Sequence, residues 1–135
     1  MVDRISPVQR SKNMKAVKSK NTKPEIAVRR LLTDMGYRYR LHCRNLTGNP
    51  DIVFIGKRKV IFVHGCFWHV HEGCKKSSIP EIEFWQVKLR NNKKRDIQNI
   101  ALLEEQGWKP LVIWECEIFS DVQALKDKLM KFLDA

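Results

Sequence analysis

A chain of 135 residues, 43% hydrophobic and 30% charged, has the size and composition of one compact folded domain. Its longest apolar runs are far shorter than the roughly 20 residues that span a bilayer, which argues against a membrane protein. The polar first thirty residues do not resemble a secretion signal, so we expect a cytoplasmic protein whose four cysteines are metal ligands or buried thiols rather than disulfides.

The net charge of +11 is unevenly distributed along the chain. Residues 1–44 hold twelve basic and three acidic side chains, residues 45–100 hold ten and five, and residues 101–135 hold four and seven. A basic surface attracts a phosphate backbone by releasing its counterions. The distribution therefore favours a nucleic-acid-binding protein, with solubility alone as the alternative.

Two helices are predicted at the N-terminal end. Ser6-Pro7 is typical of a helix start, and the basic segment that follows to about Ser19 is expected to lie against a polyanion, with an ordinary surface helix as the alternative. Thr22-Lys23-Pro24-Glu25 has the form of a capping box, and Gly36 is a stop signal. A second helix is therefore predicted over roughly 23–35.

Three strands are predicted next. Residues 37–41 alternate as a half-buried strand, and the apolar runs 51–55 and 59–64 form a hairpin. With Lys57-Arg58 as the turn, Asp51 faces His64 directly. With Gly56-Lys57 as the turn, Asp51 faces Phe62, and His64 becomes its diagonal neighbour on the same face.

The C-terminal half contains a loop followed by helices and one more strand. Residues 65–80 lack apolar periodicity and hold cysteines and histidines, which suggests that a metal orders this loop. One or two helices are predicted over 81–106, with Asn91-Asn92 as a candidate break, then a buried strand over 109–115. Ser120-Asp121 caps a closing helix. The order ααβββαβα predicts an α/β fold, a mixed sheet flanked by helices.

Two different metal sites are indicated. Asp51, after Pro50 at a strand start, is a candidate oxygen ligand for Mg²⁺, and a turn-capping aspartate is the alternative. The spacing of Cys66, His71 and Cys74, with Cys116 at the end of a buried strand, suits a closed tetrahedral zinc site, although His69 competes with His71 as the ligand.

Several motifs together resemble a known nuclease family. Pro50-Asp51, the hairpin and Phe62-Val63-His64 resemble the PD-(D/E)xK nuclease core, with Phe-x-His in place of the acidic-x-lysine pair. The segment His64–His69 closely resembles the very-short-patch repair endonucleases, or Vsr family, which nick DNA at T:G mismatches. The resemblance spans most of the chain, including residues 10–14, 22–25, 49–51, 83–85 and 107–116.

The resemblance implies a restriction-endonuclease-like single domain over 1–135, with a DNA-contacting helix at 1–20 and a zinc loop at 65–80. It implies a structural zinc held by Cys66, His71, Cys74 and Cys116, which leaves His69 for catalysis. The chain departs from the family pattern in that Glu72-Gly73 separate His71 from Cys74.

For DNA recognition, the resemblance implies that aromatic side chains enter the base stack beside the mismatch while the N-terminal helix lies across the opposite groove. The expected DNA contacts are Lys12, Met14, Lys15, Phe67, Trp68 and Trp85. For the three aromatic residues, a place in the core is the alternative. A partner cytosine-5 DNA methyltransferase is implied as well, because T:G arises when 5-methylcytosine deaminates, and we expect a monomer.

Phosphodiester hydrolysis needs an activated water, a stabilised phosphate charge and a protonated leaving group. We assign Mg²⁺ to Asp51 with the backbone carbonyl of Val63, the general base to His69, and contact with phosphate or metal-bound water to His64. Glu25 is either a helix cap or a carboxylate that orients a catalytic histidine.

Asp96 is a second candidate partner for His69, but its basic neighbours favour a solvated helix face. The leading hypothesis is a Mg²⁺-dependent, strand-specific endonuclease that nicks 5′ to the thymine of T:G. The alternatives are a nuclease of the same superfamily with another specificity, and a zinc-stabilised DNA-binding module without catalysis.

Overall fold

The structure is a computed structural model that describes residues 22–43, 45–67, 69–71 and 82–134. The helices and strands of these ranges are α1 (Lys23–Asp34), β1 (Arg40–Leu41), β2 (Ile52–Phe54), β3 (Lys59–His64), α2 (Glu83–Glu105), β4 (Lys109–Trp114), α3 (Glu115–Ile118) and α4 (Val122–Asp134). The helix predicted within residues 1–20 lies outside the described residues. No helix of the described ranges is long and apolar enough to cross a membrane.

The four strands form one mixed sheet in the order β1-β2-β3-β4. β1, β2 and β3 are antiparallel neighbours, whereas β4 lies parallel to β3. A parallel pair needs a long crossover connection, and α2 lies in that connection. The prediction of a mixed α/β fold, with a hairpin and a later strand that joins through a helix, is confirmed.

Successive side chains of a strand point to opposite faces of the sheet, and the central strands are apolar at nearly every position. Both faces of the sheet are therefore apolar, and helices cover both. Ile52, Phe54 and Ile61 pack against α1 and α4 in the larger core cluster. Val53, Val60 and Phe62 point to the other face, where they pack against Leu103 of α2. β2 and β3 are therefore buried on both sides, and the polar site residues lie near the strand ends.

The hairpin has the second of the two predicted registers. Phe54 pairs with Lys59, and the backbone N–H of Arg58 donates to the carbonyl of Ile55 at 3.2 Å, which makes Gly56-Lys57 the centre of the turn. Extending this register by one residue places Asp51 opposite Phe62, with His64 as the diagonal neighbour.

Three element boundaries differ from the predicted ones. The first strand pairs only at Arg40–Leu41, since its partner β2 ends at Phe54. The rings of Tyr37 and Tyr39 meet Phe54 edge-on, at centroid distances of 6.5 and 6.4 Å. α2 continues without a break through the pair Asn91-Asn92, where the Asn92 side chain accepts from Arg95.

The last strand ends one residue before its predicted limit. The carboxylate of Glu117 accepts from the backbone N–H of Trp114 at 2.9 Å, so the chain turns into the short helix α3 at Glu115. Cys116 therefore lies in a helical turn rather than at a strand end. The closing helix begins as predicted, because the Asp121 carboxylate accepts from the backbone N–H of Ala124 at 3.1 Å.

Candidate active site and metal centre

A cavity of about 980 Å³ lies where the first turn of α1, the start of β2, the end of β3 and the middle of α2 meet. The predicted site residues among its lining are Glu25, Asp51, Val63, His64, Phe67 and His69. β3 and β4 run parallel, so their carboxyl ends lie at this same edge of the sheet, the position where α/β folds place their ligands.

Asp51 holds its carboxylate against the neighbouring strand. Its Oδ2 accepts from the backbone N–H of Val63 at 2.7 Å, and its own N–H donates to Ile61 at 3.2 Å. Burial raises the pKa of Asp51 from its ordinary 3.8 to about 7; the Val63 N–H opposes this rise, and the charge of Glu25 adds to it. A buried carboxylate with a raised pKa favours a role in binding or catalysis over one as a turn cap.

Glu25 is almost fully buried, with 2% of its surface exposed. Its backbone N–H reaches the cap hydroxyl of Thr22 at 3.4 Å, which confirms the predicted helix start. Its carboxylate, however, accepts from Arg29 at 3.1 Å and lies 3.1 Å from Nε2 of His42. The Glu25 side chain therefore belongs to the cavity, although the histidine beside it is neither of the two predicted catalytic ones.

His42 is a residue that the sequence reasoning missed. It follows β1 with a φ of 53°, and its ligand atom lies within 4.8 Å of those of Glu25 and Asp51, a grouping that could hold a metal ion. An isolated histidine after a two-residue strand carries no motif, so the sequence offered no signal for it.

The rings of the two predicted catalytic histidines, His64 and His69, are stacked. The centroids of His64 and His69 are 3.8 Å apart with an interplanar angle of 8°. Burial lowers the pKa of His64 from its ordinary 6.5 to about 3, and repulsion from His69 adds to this effect. His64 is therefore a neutral imidazole at neutral pH.

Asp96 overturns the prediction of a solvated helix face. Its Oδ2 lies 2.5 Å from Nδ1 of His69, across the cavity from α2. The unbroken α2 presents the carboxylate to the loop after β3, a contact that the local charge pattern around Asp96 did not indicate. The pair has the geometry in which a carboxylate orients a histidine.

The cavity wall on α2 is a second feature that the sequence reasoning missed. Six polar residues of this helix line it: Lys88, Asn91, Asn92, Arg95, Asp96 and Asn99. Leu89 and Leu103 of the same helix are fully buried. The signal was present as a polar stripe with a helical period opposite apolar residues, of which only the stretch around Asp96 was interpreted, as a solvated helix face.

Two of the three predicted wedge aromatics contact each other. Phe67, which lines the cavity, meets Trp85 of α2 edge to face at a centroid distance of 5.5 Å. Both residues are partly buried. Trp68, Lys12, Met14 and Lys15 lie outside the described residues.

The predicted zinc ligands that the structure describes come together. The ligand atoms of Cys66, His71 and Cys116 lie within 4.8 Å of one another, and Sγ of Cys116 is 3.4 Å from Nδ1 of His71. Cys66 is fully buried. Two sulfurs and one imidazole match the donors that zinc prefers, so the residues fit the ion. Cys74, the fourth predicted ligand, lies outside the described residues.

The geometry also separates the two competing histidines. His71 lies beside the sulfur atoms, whereas the ring of His69 is stacked on His64 and bound to Asp96. The cysteine cluster therefore contains His71, whereas His69 belongs to the cavity.

Known proteins that are similar to this chain are DNA endonucleases. A family model described as DNA mismatch endonuclease Vsr matches residues 2–76, which is more than half of the chain. The chain belongs to the Vsr family. The predicted resemblance is thereby confirmed.

Two curated relatives are similar to this chain over most of their own length. A protein of Xanthomonas oryzae pv. oryzae named Type II nicking enzyme V.XorIIP is 48% identical over 136 residues, covering 99% of this chain and 98% of that protein. The Escherichia coli (strain K12) protein named DNA mismatch endonuclease Vsr is 41% identical over 120 residues, covering 87% of this chain and 76% of that protein.

A solved structure agrees in fold. The catalytic domain of the homing endonuclease I-Bth0305I matches with a TM-score of 0.59 at 24% identity, covering 83% of this chain and 94% of that one. Membership in the Vsr family makes the chain an enzyme, an endonuclease that hydrolyses phosphodiester bonds. The alternative of a DNA-binding module without catalysis is wrong.

Proposed function

We propose that this Vsr-family chain is a Mg²⁺-dependent endonuclease that nicks one strand 5′ to the thymine of a T:G mismatch, in the very-short-patch repair of deaminated 5-methylcytosine. The observation that carries the proposal is the single cavity in which Asp51, the stacked histidines and an aromatic surface meet. A metal-binding carboxylate, a proton acceptor and a stacking surface are the three parts that mismatch nicking needs.

The cation ligands proposed are the carboxylate of Asp51 and the backbone carbonyl of Val63. The bond from the Val63 N–H to Oδ2 fixes one carboxylate oxygen, and the negative charge of Glu25 makes the position attractive to a cation. Bound Mg²⁺ would supply Lewis-acid stabilisation of the phosphate charge and of the leaving oxygen. The six-coordinate ion keeps several waters, so two protein ligands suffice.

His69 is the proposed general base. Asp96 binds its Nδ1, which leaves Nε2 as the nitrogen that takes a proton from the attacking water. His64, neutral and stacked beneath it, contacts the phosphate or a metal-bound water. Glu25 stays within the cavity as a buried carboxylate held by Arg29 and is proposed as catalytic.

Selectivity for a mismatch is proposed to come from distortion of the duplex. Inserting an apolar side chain unstacks a base step at a cost of a few kcal/mol, and a mismatched step costs less than a paired one. Phe67, Trp68 and Trp85 are the proposed wedge. Lys12, Met14 and Lys15 are proposed to contact the opposite groove, which agrees with the basic charge of the first 44 residues.

The cluster of Cys66, His71, Cys74 and Cys116 is proposed as a structural zinc site. It would fasten the loop after β3 to the helical turn after β4, and four protein ligands leave no position for substrate. We further propose that the chain acts as a single domain and a monomer in the cytoplasm, in functional association with a cytosine-5 DNA methyltransferase.

A nicking assay with labelled duplexes tests the proposal. Duplexes that carry T:G, T:A or C:G at one position, in several sequence contexts, are incubated with the zinc-loaded protein and Mg²⁺, and each strand is resolved separately. Cuts confined to the thymine strand of T:G support the proposal. Equal cutting of matched and mismatched duplexes would favour a nuclease of other specificity, a possibility raised by relatives whose names are Type II nicking enzymes.

A further inference from the structure

Four aromatic rings run in contact from the cavity to the cysteine cluster. His69 stacks on His64 at 3.8 Å, and His64 meets Trp114 edge to face at 5.3 Å and 73°. Trp114 in turn stacks on His71 at 4.2 Å and 7°. One indole therefore touches both a proposed catalytic histidine and a proposed zinc ligand.

The sheet and α3 hold Trp114 in this position. Trp114 is the register partner of His64 in the parallel pair of β3 and β4, so the two side chains emerge side by side on the same face. The Trp114 backbone N–H is bound by Glu117, whose carboxylate also accepts from Lys128 at 2.8 Å. The backbone of Trp114 is thereby held by its pairing with β3 and by the side chain of Glu117.

His64 depends on its ring neighbours for its orientation. Its Nδ1 is buried and has no hydrogen-bond partner among the residues that the structure describes. The rings of Phe62, His69 and Trp114 surround it at centroid distances of 5.7, 3.8 and 5.3 Å. No hydrogen bond holds Nδ1 in these ranges, and the three rings packed around the imidazole constrain its rotamer.

We propose that Trp114 is a positioning residue that makes the orientation of His64 and His69 depend on occupation of the zinc site. The inference rests on the proposed function, because it assumes the catalytic histidines and the zinc ligands assigned there. Zinc bound at His71 would hold that imidazole as a flat surface for the indole, and the indole would hold His64. Loss of the ion would remove the metal–imidazole bond at His71 and with it part of the constraint on the indole.

The test compares Trp114→Leu with Trp108→Leu. Trp108 immediately precedes β4, at the end of the strand opposite Trp114, and its ring lies 5.0 Å from the guanidinium carbon of Arg58. Zinc content is measured by mass spectrometry, imidazole resonances by long-range ¹H–¹⁵N NMR, and single-turnover nicking and duplex binding separately.

We expect Trp114→Leu to keep its zinc and its duplex affinity, to shift the His64 and His69 resonances, and to lower the nicking rate at least about tenfold. Trp108→Leu should leave these resonances in place. Trp114→Phe, which keeps a smaller ring, should fall between the wild type and Trp114→Leu and serves if the leucine variant does not fold.

A double-variant comparison isolates the coupling. Removal of zinc through Cys116→Ala should shift the His64 and His69 resonances when Trp114 is present, and should add no further shift in the Trp114→Leu background. Equal shifts in both backgrounds, or unchanged resonances in zinc-loaded Trp114→Leu, would overturn the proposal. The NMR readout is independent of mismatch nicking, so an absence of T:G cutting would count against the proposed function alone.

Discussion

Replacing Asp51 with Asn should stabilise the fold in the absence of Mg²⁺ and abolish nicking. In the folded protein, burial withholds from the ionised carboxylate the hydration that it has in the unfolded chain, which is why its pKa rises from 3.8 to about 7. The amide of Asn carries no charge, so it removes that cost, yet its oxygen can still accept from the backbone N–H of Val63. A residue that costs stability in order to supply function is expected at an active site.

The size of the effect follows from the pKa. A rise from 3.8 to about 7 corresponds to an upper limit of roughly 4 kcal/mol at pH 8, because one pH unit is worth about 1.4 kcal/mol. We expect about half of this, roughly 2 kcal/mol, since the amide is still a buried polar group and binds the Val63 N–H more weakly than a carboxylate does.

The effect should depend on pH in a defined direction. The folded-state pKa of Asp51 lies above the unfolded value, so the stability that its protonation contributes is complete below 3.8 and is lost as the pH rises through about 7. Because the cost of the buried amide does not change with pH, the gain in free energy of unfolding from Asp51→Asn should increase from close to zero at pH 5.5 to about 2 kcal/mol at pH 8.

Urea unfolding followed by tryptophan fluorescence measures this difference, with zinc content checked at each pH and no Mg²⁺ added. Asp127→Asn, on the exposed side of α4, is the matched control and should change stability by less than about 0.5 kcal/mol at both pH values. A variant no more stable than the wild type at pH 8, or a gain that does not change with pH, would refute the reasoning.

Three further substitutions test the rest of the site. Asp96→Asn should reduce the nicking rate on the order of 100-fold with unchanged duplex binding, because His69 loses the carboxylate at its Nδ1; single-turnover kinetics measure this. Cys116→Ala should release zinc and lower the melting temperature, which metal analysis and calorimetry detect. Gly48→Ala should cost roughly 1–3 kcal/mol in urea, since its φ is +78° and a Cβ would lie 3.1 Å from a neighbouring side-chain carbon, whereas Gly56→Ala has open space and should be nearly neutral.

For each of these substitutions, one result would contradict the expected outcome. An Asp96→Asn enzyme that nicks at the wild-type rate would show that His69 needs no carboxylate partner. Full zinc loading of Cys116→Ala would remove that cysteine from the metal site. Equal stability of Gly48→Ala and Gly56→Ala would mean that the loop before β2 adapts freely to a side chain.

Local chemistry was sufficient to predict much of the fold. The cap at Thr22 and the proline at the first turn mark the start of α1, because they satisfy or remove donors that a helix leaves unpaired. The β-branched runs on both sides of the turn at Gly56-Lys57 mark the hairpin. These are short-range effects, so the residues involved are close together in the sequence.

The partners within the site were less predictable. Glu25 and His42 come together from α1 and the segment after β1, and Asp96 approaches His69 from the middle of α2. Three basic residues, Lys93 to Arg95, directly precede Asp96, which made a solvated role the expected one. Only the way in which α2 packs across the sheet turns that carboxylate toward the histidine.

The sequence by itself determined α1, α2, α4, the hairpin and the membership of the Vsr family, since capping chemistry, strand periodicity and motifs are properties of neighbouring residues. Tertiary structure decided the hairpin register, the partner of each histidine and the ring contacts through Trp114. The physical reason is that such contacts depend on how elements distant in the chain pack against one sheet, and a one-dimensional pattern does not contain that geometry.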